Sequence, residues 1–163
     1  MECRYMRIQG REDSWVTKYP KGIFSMCWRL ILDGIMKPED EQAFRNIDKW
    51  FREHLPEPEL CKNGEKVITF FKTASTAEMQ EKIAPAVRLL DKYDHPYDIV
   101  YTNAVGTIVY EDDWQVAVRV EGGKMICSGR TLPRRFWMGH GVSHSGKQGF
   151  CSLYVLFSGS RFA

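Results

Sequence analysis

After Glu121 the chain carries no acidic residue at all. All 21 Asp and Glu lie at or before that position, whereas six of the 23 Lys and Arg lie beyond it. At the chain's own acid frequency such a tract arises by chance roughly 0.3% of the time, so it marks a compositional boundary. Residues 1–121 hold 17 basic against 21 acidic residues, and residues 122–163 hold six basic ones alone. The sequence therefore predicts a core domain over 1–121 and a basic, Gly- and aromatic-rich extension over 122–163, able to add strands to the sheet of the core.

Other absences exclude whole classes. No run approaches 18 apolar residues, so no membrane span is expected. The opening MECRYMRIQGRED lacks an apolar segment of signal-peptide type, which points to a cytoplasmic protein. The five cysteines (Cys3, Cys27, Cys61, Cys127, Cys151) form no C-x-x-C, which favours free thiols over a disulfide framework. The glycine patterns that cradle nucleotide phosphates, the G-x-S-x-G elbow and H-E-x-x-H are all missing. No cysteine has a readable general base, since neither His54 nor His95 can be placed beside one. No cofactor is expected and no catalytic residue is assigned.

What is present is enough for a core: 44% hydrophobic residues, with 21 aromatics. Val67 to Phe71 reads as a strand that is apolar on both faces and so central in its sheet. Ser75 and Glu78 form a capping box, and Met79, Ile83, Ala86, Val87 and Leu90 make one helical stripe behind it. Pro85 inside that stripe predicts a kink near Glu81 or a break just before the proline. Ile99 to Tyr101 and Thr107 to Tyr110 follow as strands, the first completing a β-α-β unit. Gln115 to Val120 alternates and predicts a strand with one buried and one more polar face. Lys124 to Ser128 is expected to pair back on it through a Gly122-Gly123 turn, and Phe150 to Phe157 is a final strand candidate.

Upstream, Arg4 to Ile8 reads as a short strand and Gln9 to Tyr19 as a polar loop. Pro20 to Asp33 is a helix capped by Gly34, and a second helix opens at Pro38 and ends before Pro56. Trp28, Trp50, Phe51 and Phe70 are read as core. The fold class expected is α+β: a small mixed sheet covered by two or three helices, with a β-α-β-β core and a basic C-terminal extension.

Four runs, GIFSMCWRLI, DKWFREHLPEPEL, ITFFK and IVYEDDWQVAV, resemble a pattern in a family of short bacterial and phage proteins. The resemblance covers roughly residues 20–120 and rests on structural motifs. It implies a bacterial or phage, intracellular origin and brings no activity with it.

Three clusters carry candidate chemistry. Glu111, Asp112 and Asp113 are adjacent carboxylates that suit a divalent cation in a nuclease or hydrolase; the plainer reading is a solvated hairpin turn. His140 and His144, between Cys127 and Cys151, approximate half of a zinc-finger spacing but lack the paired first cysteine, so no metal is assigned. Arg130, Arg134, Arg135, Phe136, Trp137, His140 and Lys147 mix cations with stacking surfaces that suit nucleic acid; the plainer reading is a basic tail pairing with the chain's own acidic body. The expectation is a small, cytosolic, non-enzymatic binding or inhibitory accessory protein. Its acidic body and basic aromatic tail would engage a protein or nucleoprotein partner. A metal-dependent hydrolase on the acidic triplet and a nucleic-acid binder acting through the tail are the alternatives.

Overall fold

A computed structural model describes residues 3–55, 58–59, 63, 65–74, 77–120 and 130–132. In chain order the elements are β1 (Tyr5–Asp13), β2 (Pro20–Gly22), α1 (Ile23–Leu32), α2 (Pro38–His54), β3 (Val67–Lys72), α3 (Ala77–Lys92), β4 (Tyr97–Thr102), β5 (Ile108–Glu111), β6 (Gln115–Arg119) and β7 (Arg130–Leu132). The strands form one sheet in the order β5-β6-β3-β1-β4-β7, with β2 also paired to β1. The α+β class expected from the sequence holds. Each described ladder is antiparallel, so the sheet is not mixed.

β3 and β4 are joined through α3 but are not neighbours. β1 lies between them, pairing Met6 with Phe71 on one side and with Tyr101 on the other. β3 is central, as its two apolar faces require, and its first five residues are all buried.

Alternation along β1 explains the two faces. Met6 and Ile8 point into the main core with Phe24, Phe44, Phe51, Phe71, Ile83, Leu90 and Ile99, beneath the three helices. Ile68, Phe70, Val116 and Val118 form a second cluster on the opposite face, with Val105, Tyr5 and Tyr19 against it. Arg7 shares that second face and is fully buried. Its Nη1 donates to Thr69 O at 3.1 Å, its Nη2 to Pro20 O at 2.5 Å, and its carbon lies 5.6 Å and 5.8 Å from the Tyr19 and Phe70 ring centres. Carbonyls and ring faces replace the water that a guanidinium loses on burial.

Several local expectations change. β1 runs five residues beyond Ile8, because Gln9 and Gly10 pair with Asp98 and Tyr97 of β4 and Asp13 pairs with Pro20 of β2. The segment from Gln9 to Asp13 looks polar because its outward side chains are charged, and a partner strand some 90 residues away is invisible to local periodicity. α1 begins at Ile23, since Pro20–Gly22 is a strand. α3 is one helix through Pro85. Ile83, Ala86, Val87 and Leu90 are all buried, and that packing offsets the missing ladder bond. β6 is buried on both faces over its first four residues, Gln115 and Ala117 included: Ala117 packs with Val67, Val109 and Tyr110, and Gln115 is held by Asp112.

Trp28 and Trp50 are half-buried and Phe51 and Phe70 fully so, as core residues should be. The pairing expected for Lys124 to Ser128, the strand at Phe150 to Phe157 and the Ser75 cap lie outside the described residues. The described strand of the C-terminal extension, β7, pairs with β4 at the opposite edge from β5.

Candidate functional site

The acidic triplet sits in the β5–β6 turn, and its carboxylates are already engaged. Asp112 Oδ1 accepts from the amides of Trp114 and Gln115, both at 2.7 Å. Asp112 Oδ2 accepts from the Tyr110 hydroxyl at 2.9 Å and from Gln115 Nε2 at 3.2 Å. This is the turn-closing use of aspartate, in which the side chain stands in for a backbone carbonyl. Burial, then the neighbouring Asp112 carboxylate, push the Tyr110 phenol up to about 12. Glu111 is salt-bridged to Lys72 Nζ at 2.6 Å. Asp113 is exposed. Among the described residues no three His, Cys, Asp or Glu side chains gather in a way that would hold a metal ion.

A different group of ionisable residues converges at the base of the β1–β2 hairpin. Gly10, Arg11, Glu12, Lys21, Met26, His95 and Pro96 line a small hollow of about 140 Å³. Close approach shapes it: a Cβ on Gly10 would lie 2.7 Å from Met26 Sδ. His95 is brought there by the end of α3. The amide of His95 bonds Leu90 O at 2.9 Å and that of Asp94 bonds Asp91 O at 3.2 Å, with Asp94 at φ +49°. These are the two bonds of a Schellman turn, whose left-handed position aspartate tolerates. Gly34 plays the same part after α1, as expected of a C-cap glycine.

The charges around the hollow are paired. Lys21 Nζ meets Glu12 Oε2 at 2.9 Å, and Arg11 lies 3.7 Å from Asp98. Lys21 holds Glu12 below the usual carboxylate range, through its hydrogen bond first and then its charge. Burial holds His95 below the ordinary imidazole range, and Lys21 adds to this against Glu12. A neutral imidazole beside two ion pairs is a polar contact surface that can donate and accept.

Beyond this hollow the same hairpin ends in an ordered tip. Ser14 N donates to Tyr19 O at 2.7 Å and Ser14 O accepts from Lys18 N at 2.8 Å. Ser14 Oγ faces the amides of Val16 and Thr17 at 3.3 and 3.5 Å, and Thr17 Oγ1 that of Tyr19 at 3.3 Å. Lys18 takes the left-handed conformation at φ +57° that closes the turn. Trp15 is 82% exposed at the apex and Val16 40%.

The basic aromatic residues Arg134, Arg135, Phe136, Trp137 and Lys147, and the histidines His140 and His144, lie outside the described residues. Arg130 opens β7. Cys27 is buried, and its thiol is pushed far above the ordinary value by that burial first and by Asp48 second, which keeps it protonated and unreactive. Among the described residues no helix is long and apolar enough to cross a membrane. Local reasoning missed both the hollow and the tip. The hollow needs Gly10 beside Met26 and His95, more than 60 residues apart. The tip carried one legible signal, a tryptophan inside an otherwise polar turn. No family model, curated protein or solved structure matches the chain.

Proposed function

We propose that this chain is a small, cytosolic, non-enzymatic binding protein, an accessory or inhibitory factor of bacterial or phage origin. Its acidic body and basic aromatic C-terminal residues engage a protein or nucleoprotein partner. The observation that carries this reading is the state of the acidic triplet. Four in-chain donors occupy the Asp112 carboxylate and Lys72 holds Glu111, so these groups are spent on closing a hairpin. A catalytic cation would have to take Asp112 from a turn it holds together.

The test is a melting curve with and without Mg²⁺ or Mn²⁺, together with hydrolysis of bis(p-nitrophenyl) phosphate. The expected result is an unchanged melting temperature and no cation-dependent hydrolysis. Stabilisation by either cation that disappears in Glu111→Gln would make the triplet a metal site and defeat the reading.

A further inference from the structure

We infer that the apex of the β1–β2 hairpin is a docking knob, with Trp15 as the anchor that enters an apolar hollow on a folded protein partner. This rests on the binding-protein reading and names a part of the surface that does the binding. Three observations carry it.

The apex is ordered rather than loose. Two backbone bonds join Ser14 to Tyr19 and Lys18, and side-chain oxygens face the amides of Val16, Thr17 and Tyr19. A preorganised anchor loses little freedom on binding, and tryptophan is the residue most enriched at the energetic centres of protein interfaces. The exposure also contrasts with that of the other hairpin. Trp114 flanks the comparable turn of the β5–β6 hairpin and packs against the main core, whereas Trp15 stands in water with Val16 beside it. An exposed indole with a valine beside it on an ordered turn is the kind of amphipathic anchor that protein interfaces favour.

The charge around the apex selects the partner class. Of the charges near the apex, Glu12 is paired with Lys21 at 2.9 Å and Arg11 lies 3.7 Å from Asp98, which leaves Asp13 and Lys18 as exposed charges of opposite sign. A phosphate backbone and an anionic lipid surface both need several uncompensated cations close to the aromatic contact, which this balanced set does not supply. A protein hollow with an acceptor for the indole N–H and a rim of mixed charge fits all four side chains.

The experiment uses the full-length chain with the photo-crosslinking residue p-benzoylphenylalanine replacing Val16. Irradiation in an extract of the native host captures neighbours of the apex, and the captured protein is then purified and titrated against wild-type and variant chains. A protein partner whose affinity falls about 30-fold or more with Trp15→Ser, and less with Trp15→Phe, supports the inference. So does a shift on binding of the 5-fluorotryptophan resonance that Trp15→Phe removes. The inference is overturned if no captured protein binds when purified, or if it binds Trp15→Ser as well as wild type. It is equally overturned if a single-stranded oligonucleotide or phosphatidylserine vesicles bind in a Trp15-dependent manner. If binding survives Trp15→Ser but is lost in Arg134→Ala/Arg135→Ala, the knob is wrong while the proposed function stands. If neither change affects any binding, both fall.

Discussion

Two hairpins in this sheet close their turns in the same way and leave a tryptophan in opposite places. At β5–β6, Asp112 Oδ1 takes two amides at 2.7 Å and Trp114 folds back on the main core. At β1–β2, Ser14 Oγ faces two amides at 3.3 and 3.5 Å and Trp15 stands in solvent. An ionised acceptor at short range fastens the first turn more tightly than a hydroxyl at the edge of hydrogen-bonding distance fastens the second. The first hairpin spends its polar and aromatic groups on the fold, and the second holds its shape while keeping its aromatic outward. A conspicuous acidic motif can thus be architecture, while an inconspicuous polar turn sets an indole in solvent.

The contrast can be broken or sharpened by substitution. Asp112→Ala should cost the most, about 2–4 kcal/mol, because two amides and buried Gln115 lose an ionised acceptor together. Chemical denaturation measures it, and a loss under about 0.5 kcal/mol would show that the turn does not depend on the carboxylate. Trp114→Ala comes next, at about 2 kcal/mol for a half-buried indole, read by the same unfolding curve.

A smaller effect should follow pH through His95. Burial keeps its imidazole below the ordinary value, so the unfolded chain takes up a proton first as the medium is acidified. The stability it contributes is complete above about pH 6.5 and drains away as pH falls toward its lower folded value. Melting temperatures taken from neutral to mildly acidic pH should fall, and His95→Gln should flatten that slope; equal slopes would place the imidazole in open water. Smaller again, Ser14→Ala should cost about 0.5–1 kcal/mol, as for other hydroxyl acceptors at turns and caps. Trp15→Ser should change unfolding by less than about 0.5 kcal/mol. A larger loss would mean that Trp15 supports the fold.

Much of this architecture is written locally. The apolar stripes of α1, α2 and α3, the first-turn proline and acids of α2, Gly34 after α1 and the two-faced apolar run of β3 each act within a few residues, and each element forms where they say. The misreadings come from contacts outside the segment concerned, some distant in sequence and some, as between β1 and β2, close by. Gln9 and Gly10 became strand because β4 accepts them and Asp13 because β2 does, Pro85 stayed helical because its neighbours are buried, and β6 lost its polar face where Val67, Val109 and Tyr110 pack on Ala117. The candidate site was legible only in pieces. Glu111 to Asp113 stood out as a cluster of charge, and its plainer reading as a hairpin turn was local too, since Tyr110, Trp114 and Gln115 all lie within three residues of Asp112. The hollow beneath β1–β2 draws on residues 10, 26 and 95, which only the folded sheet brings together.

The position of β1 fixes an order of events during synthesis. It leaves the ribosome before its two neighbours, which arrive far later, with Lys72 opposite Tyr5 on one side and Thr102 opposite it on the other. A growing chain therefore carries Met6 and Ile8 without both neighbouring strands until β4 has been made, and pairings this remote in sequence are slow to form. Ribosome-bound fragments ending before β4 should stay sensitive to protease along their first strand, and protection should appear only once Tyr97–Thr102 has emerged.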